Sequence, residues 1–362
     1  MVFALDLASL SLAPVDCAGR GLVQTGKDVL RCWPHEYSCI AENALWTGGL
    51  KESDWADATG RQGGTVFNCG YEPYALNYAF HALYPYIPTG VDRRDKQVLL
   101  FDARNSGAKM RNFHAALAYI KHYPMQTNAA LKQTLGISHG VFTEQVVPTL
   151  YSLADHMSFL DFQLRLWEYN HTEFFLERIT FAPDGFPINV RQPANRFLAR
   201  LLRSGKYKDF VVKGQLTIAL APGFPIDYSG PHIGIRHDAR MWKEDAGLLS
   251  RIKPWEYGLG DKGYVGCPQI ITEWKGSNLT AQQLEFNLTV QHYRGRVEHL
   301  IAEMVQSRAA LNTRWRGSFD LLAAIMKITS HMVGLQERMK GPKYDVFGPW
   351  PVCPARIAAL HP

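Results

Sequence analysis

The chain has 362 residues, 46% hydrophobic and 20% charged, with a formal net charge of +6. That length suits two or three domains with a sizeable core, and the composition excludes disorder as the default. No run of about 18 apolar residues occurs, which excludes a conventional membrane-spanning helix. The modest positive balance favours a polyanionic partner, depending on where the charge sits.

The apolar N-terminus MVFALDLASLSLAPVDCAG lacks a basic start and is interrupted by Asp6, so the expectation is a protein that is not secreted. Without export, the N-x-T triplets at Asn170, Asn278 and Asn287 read as chance matches. Cys17, Cys32, Cys39, Cys69, Cys267 and Cys353 then read as reduced thiols rather than a disulfide framework or a zinc site.

Residues 1–110 form an N-terminal region with no readable fold. They hold Trp33, Trp46 and Trp55, a glycine-rich stretch (GRQGGTVFNCGYEP) and an aromatic run (NYAFHALYPYIP); core packing explains these tryptophans better than base stacking. VDRRDKQ (91–97) is a charged connector and QVLLFD (97–102) a short strand-type run. Residues 111–160 turn helical: RNFHAALAYIKHY repeats its apolar positions at three and four. Asn128 can cap a helix over Ala129–Leu135, Gly136 permits a left-handed turn, and Ser138 can cap a second helix. Two short helices joined by L-G-I-S suit a helix-turn-helix, with His139 and Thr143 as candidate DNA contacts and Gln145 beside them. Any helical hairpin gives the same pattern, and a solvated face is the alternative for those side chains.

From about 175 the text changes to strands. RITFAPD (178–184), FPINV, YKDFVVKGQLTIAL (207–220) and FPIDYSG (224–230) read as an antiparallel meander broken by Pro-Gly turns. HDARMWKEDAGLLSRI (237–252) reads as a helix and WEYGLG (255–260) as a short buried strand. A long helix is expected over 280–312, opened by a capping box of Thr280 and Gln283, and another over 319–339. This order is that of an α/β, ribonuclease H-like domain, a mixed sheet flanked by helices, over 170–340. A helical helix-turn-helix segment (111–160) precedes it and a C-terminal tail (341–362) follows.

Three acids fall at telling places in that layout. Asp184 is expected to end the first strand, Asp261 to follow WEYGLG, and Glu298 to sit midway along the long helix. If the first strand pairs with the later one, two strand-end carboxylates emerge side by side and the helix delivers the third. Carboxylates forced together repel one another unless a cation neutralises them. Hard oxygen ligands suit Mg²⁺ or Mn²⁺ rather than zinc, and two such ions can drive an in-line phosphoryl displacement without a covalent protein nucleophile. Singly, each acid reads equally as surface filling.

The flanking segments DGFPINVRQP (184–193), SGKYKDFVVKGQ (204–215), GIRHD (234–238), GDKGY (260–264) and FNLTVQHYRGRVEH (286–299) resemble, in order and spacing, the DDE-type transposases of the PIF/Harbinger group and their bacterial insertion-sequence relatives. The resemblance implies a ribonuclease H-like fold, divalent-metal dependence, and cutting and strand transfer at transposon ends. It places the metal-binding acids at Asp184, Asp238, Asp261 and Glu298, with Asp184, Asp261 and Glu298 catalytic; Asp238 enters chiefly through it. Two positions depart from the bacterial pattern: Gln291 stands for a Tyr and Val305 for a Lys, with Arg308 on the same helical face as the substitute for that Lys.

Basic residues crowd the same segments. Arg191, Arg196, Arg200, Arg203, Lys206, Lys208 and Lys213 face one acid, Asp209, and Arg294, Arg296, Arg308, Arg314 and Arg316 surround Glu298. Arg191, Arg203, Lys206, Lys208, Lys213, Arg294 and Arg308 are the candidate phosphate contacts, a solvated basic face being the alternative. Arg294 also stands one turn before Glu298 and can orient it; His237 and His299 read as structural. The expectation is a DNA-cutting or strand-transferring enzyme that uses two divalent cations. A catalytically silent, domesticated DNA-binding or scaffold protein is the alternative, and a general nuclease a third. DNA is the main partner; a second copy of the chain and a separate DNA-binding accessory protein are further candidates, with no membrane. The expected compartment is the nucleus in a nucleated host and the cytoplasm otherwise.

Overall fold

A computed structural model of the chain describes residues 178–340 continuously and, before them, 69–71, 73–88, 90–91, 98–99, 106–124, 129–131 and 137–166. The expectations placed on Trp33, Trp46, Trp55, Gly136, Asn170, four of the cysteines and the C-terminal tail lie outside these residues. Cys69 and Cys267 are buried and free. No helix among the described residues is long and apolar enough to cross a membrane.

In chain order, α1 (Pro73–Leu83) precedes a short ladder of β1 (Gly90–Val91) and β2 (Val98–Leu99). Helix α2 (Ser106–His122) covers the stretch read as helical from its apolar spacing. Residues 129–131 are helical. Next comes a helical run, α3, from His139–Val141 through a π-helical turn, Phe142–Val146, into Val147–His156. Ser138 caps it as expected, its hydroxyl accepting from Val141 N. Most of the segment expected to join the two helices lies outside the described residues.

The main sheet has five strands: β3 (Ile179–Asn189), β4 (Val211–Ala219), β5 (Pro225–Ile233), β6 (Tyr257–Leu259) and β7 (Ile270–Ile271). Their spatial order is β5-β4-β3-β6-β7, antiparallel from β5 to β3 and parallel from β3 to β7. The expected pairing of the first strand with WEYGLG is present, through Ile179↔Tyr257 and Phe181↔Gly258. One expectation fails: β3 is not broken near Pro183 but runs through Pro183, Gly185 and Pro187, so Asp184 lies within the strand rather than at its end. Even-numbered backbone groups of β3 face β4, as the bonds Val190 N to Phe210 O and Leu220 N to Thr180 O show. The two prolines are odd-numbered, and past Phe181 strand β6 is no longer alongside. Their missing N–H groups therefore face an open edge, where proline is tolerated.

Helix α4 (Arg196–Leu202), capped by Asn195, links β3 to β4. The helix expected over 237–252 is two, α5 (Asp238–Glu244) and α6 (Ala246–Leu249). Asp245 separates them because its carboxylate caps the second, accepting from Leu248 N at 2.9 Å. Helix α7 (Ala281–Gln306) opens with the expected capping box but stops before Arg308, which is extended (φ −132°, ψ 108°) and leads into α8 (Ala309–Asn312). Ser307 bonds back to Glu303 O, and the Arg308 guanidinium reaches away to the Tyr71 hydroxyl at 3.0 Å and Gly70 O at 3.2 Å. Helix α9 (Phe319–Lys340) closes the fold against α3 and β5, while α7 lies on β3, β4 and β6.

Beneath the start of β3 and β6 lies a sealed charged knot. Arg165 and Glu256, both fully buried, form a bidentate pair. Arg165 also donates to Phe162 O and Arg251 O, and Thr180 donates to Glu256.

Candidate active site

Asp184 and Asp261 leave the sheet at the same level, since three residues beyond the pair Phe181↔Gly258 lie 184 and 261. Parallel neighbours make this so: both chains run in one direction, and β6 ends just before Asp261. Asp184 Oδ1 accepts from Gly185 N at 2.8 Å. Asp261 caps the 3-10 turn Lys262–Tyr264, its Oδ1 accepting from Gly263 N at 2.7 Å.

Asp238, buried as the first residue of α5, comes to the same place from the other side. A Cβ at Gly185 would lie 3.1 Å from Asp238 Oδ1, and one at Gly263 would lie 2.7 Å from Asp261 Oδ1 and 3.2 Å from Asp238 Oδ2. Glycine at 263 is thus what lets these two carboxylates approach one spot. Glu298, in the second half of α7 and half exposed, is held by Arg294 at 2.6 Å. The expected i,i+4 pair is present.

The electrostatics tie the acids together. Burial raises the Asp184 carboxyl to about 7; Arg294 opposes the rise, and Asp261 and Glu298 add to it. Tyr264, fully buried, is raised well above the usual phenol by burial, then by Asp184, Asp238 and Asp261. Its hydroxyl donates to Gln215 Oε1 at 3.3 Å, while Gln215 Nε2 finds no partner among the described residues.

Cations are interleaved with the acids. Lys213 is buried, donates to Arg236 O at 2.7 Å and lies 3.6 Å from Asp238 Oδ1. Lys206 Nζ stands 3.8 Å from Asp238 Oδ2 and 3.9 Å from Asp261 Oδ2. Burial pulls the Lys206 ammonium down, but Tyr207, Asp238, Asp261 and Asp184 outweigh it and leave it above its usual range. Arg294 is buried between Glu298 and Glu273, and its Nε has no partner among the described residues. Among the described residues, no three Asp, Glu, His or Cys side chains close around a point where one ion could be held. The acids are linked in overlapping sets, Asp184 with Asp261 and Glu298 and Asp238 with Asp261, with Lys206, Lys213 and Arg294 paired to them.

Several expected phosphate contacts are placed otherwise. Lys213, Arg294 and Arg308 are buried with protein acceptors around their cations, so none is presented to a polyanion. Their charge was legible in the sequence, but the distant partners of Lys213 and Arg308, 23 and 237 residues away, were not. Arg191, Arg203, Lys206 and Lys208 are exposed. His139 and Thr143 are exposed on α3, though the Thr143 hydroxyl donates to His139 O at 2.7 Å. His237 and His299 are exposed. Glu273, Gln215 and Tyr264 were missed; Glu273 follows β7 with no local motif, whereas Gln215, ending SGKYKDFVVKGQ, and Tyr264, inside GDKGY, each lay in a quoted segment.

Residues 183–335 match the family model of the DDE superfamily endonucleases. The matched segment runs from β3 into α9 and contains all four acids. It supports a DNA nuclease or transposase-like activity, and the mixed five-stranded sheet flanked by helices is consistent with such a nuclease fold. No curated protein and no solved structure matches the chain.

Proposed function

We propose that this protein is a divalent-metal-dependent DNA endonuclease or strand transferase of the PIF/Harbinger transposase kind, built on a ribonuclease H-like fold. The observation that carries the reading is the level placement of Asp184 and Asp261 on parallel strands, with Asp238 and Glu298 brought to them. The sheet order, with the central strand pairing antiparallel on one side and parallel on the other, supports the fold.

Asp184, Asp238, Asp261 and Glu298 would hold Mg²⁺ or Mn²⁺. Their hard oxygens suit those ions, and a cation would offset the burial that chiefly raises the Asp184 carboxyl as well as the lesser push from Asp261 and Glu298. When bound, two such ions supply activation of a water or 3′-hydroxyl and stabilise the leaving oxygen. The chain's own groups do the positioning: Arg294 orients Glu298, Gly263 N fixes the Asp261 rotamer, and Lys213 holds Asp238. The exposed cations Arg191, Arg203, Lys206 and Lys208 supply sequence-independent grip on DNA, and α3 with its helix-turn-helix is a second DNA contact. A nuclear or cytoplasmic location, self-association and an accessory DNA-binding partner belong to the same reading.

The test is cleavage of plasmid and linear duplex with Mg²⁺, with Mn²⁺ and with chelator. Cleavage is expected only with the cations, and Asp184→Ala, Asp261→Ala or Glu298→Ala should abolish it while sparing DNA binding. Full activity of the Asp261→Ala protein overturns the assignment. One observation favours a silent scaffold instead: Lys206, Lys213 and Arg294 already compensate the acids internally. That reading expects DNA binding with neither cleavage nor cation uptake by calorimetry.

A further inference from the structure

At the far end of β3 from the charged knot, residues just beyond the strand and the segment after α8 enclose a cleft of about 740 Å³. Arg191, Arg196 and Arg316 line it, together with Gln192, Trp315 and Phe319. All three arginines are exposed, and among the described residues none of their guanidiniums has a hydrogen bond, ion pair or ring contact. The nearby Asp209 is paired with Arg314, at 2.6 Å. Three like charges in one cleft repel one another, and among the described residues no carboxylate is paired with them.

The cleft is rigid where it matters. Trp315 is buried, stacks on Tyr123 with ring centroids 4.5 Å apart, and donates its indole N–H to Ser318 O. Its backbone is laced to β3 by Trp315 N to Asn189 O and Arg191 N to Trp315 O, both 2.8 Å. Arg316 N donates to the Tyr123 hydroxyl at 2.7 Å. The backbones that carry Arg191 and Arg316 are therefore fixed before any ligand arrives. Asn195 accepts from Phe197 N and Leu198 N and so fixes the turn that carries Arg196. Gly317 lets the wall lie flat, since a Cβ there would meet the Trp315 indole at 2.7 Å. Beside Arg196 the ring of Phe197 is 71% exposed, an unusual aromatic at a charged rim.

We infer that this cleft binds the phosphodiester backbone of DNA flanking the cut, as an anchoring point separate from the acidic centre. The inference rests on the endonuclease reading above. Planar guanidiniums fork onto phosphate oxygens, and converging forks on a stiff floor suit a strand of linked phosphates better than a lone ion. The exposed Phe197 adds a face on which a base can stack. Arg191 stands seven residues beyond Asp184 along nearly extended chain, about 23 Å at roughly 3.3 Å per residue. That span equals about seven base pairs at ~3.4 Å each.

The test is anisotropy of a fluorescein-labelled duplex titrated with the full chain across a salt series, without divalent cations. Arg191→Ala, Arg196→Ala and Arg316→Ala should each flatten the slope of log K against log salt by about 0.9, and the triple variant should lose most binding. Arg→Lys replacements should keep the slope but weaken affinity about three- to tenfold, because a point charge replaces a fork. Arg240→Ala, remote from the cleft and paired with Glu244, should leave the slope unchanged. Inorganic phosphate and a mononucleotide, added in millimolar excess, should not compete. An unchanged slope in the three single variants, no binding by the parent protein, or full competition by inorganic phosphate overturns the inference. The nuclease reading fails separately, through undiminished cleavage by Asp261→Ala.

Discussion

Strands β3 and β6 carry charged clusters at both ends, and the two are built on different principles. At the start, Arg165 and Glu256 are fully buried, and every fork of the guanidinium has an acceptor. Further along, Lys206 and Lys213 approach Asp238 and Asp261 only to 3.6–3.9 Å, and among the described residues Arg294 Nε and Gln215 Nε2 are left without partners. A satisfied buried network fixes a fold; one left short of partners marks a place where something else is meant to bind. The comparison separates structure from function within about ten residues of one strand.

The largest expected effect lies in the sealed cluster. Glu256→Ala should lower unfolding free energy by about 3–5 kcal/mol, because it strands a buried guanidinium. Replacing both partners, Arg165→Met with Glu256→Leu, should restore most of that in urea melts. A loss below about 1 kcal/mol in the single variant would remove the contrast.

The open cluster should respond with the opposite sign. An unfolded Asp184 titrates near 3.8 and the folded one near 7, so the native state holds the extra proton between those values. That contribution is complete below about 4, is lost as pH rises to about 7, and stays lost above. Asp184→Asn should thus stabilise the protein at pH 8 by about 1–2 kcal/mol, with the gain vanishing near pH 4. Mg²⁺ should stabilise the parent at pH 8 and the variant less. Destabilisation by Asp184→Asn at pH 8 would show that the carboxylate is fully satisfied.

The smallest stability effect belongs to Gly263→Ala, below about 1 kcal/mol in melts because the turn is at the surface. Its added methyl displaces Asp261 from Asp238, however, so cleavage should fall about 100-fold. Equal loss of stability and activity would mean that the turn, not the carboxylate placement, had been damaged.

Legibility followed the range of the interaction. Asp261 and Glu298 could be placed from strand and helix periodicity, and the Thr280–Gln283 box sits where its spacing predicts. Asp184 was placed on the correct strand but at its end, because Pro183 and Pro187 read as breakers when only one edge of β3 is paired. Asp238 had no periodic signal, being the first residue of a seven-residue helix. Arg165, Glu273 and the burial of Lys213 and Arg308 were invisible because their partners lie far off in the chain. The split of 237–252 was encoded in Asp245, a capping side chain within an otherwise continuous helical pattern.

Arg308 has one more consequence. Its backbone ends the helix that carries Glu298, while its side chain grips Gly70 and packs over the ring of Tyr71. Helix α7 and the earliest described turn are thereby yoked through a single residue. A force or a sequence change at Tyr71 reaches the end of α7 directly, eight residues below Glu298, without passing through the sheet.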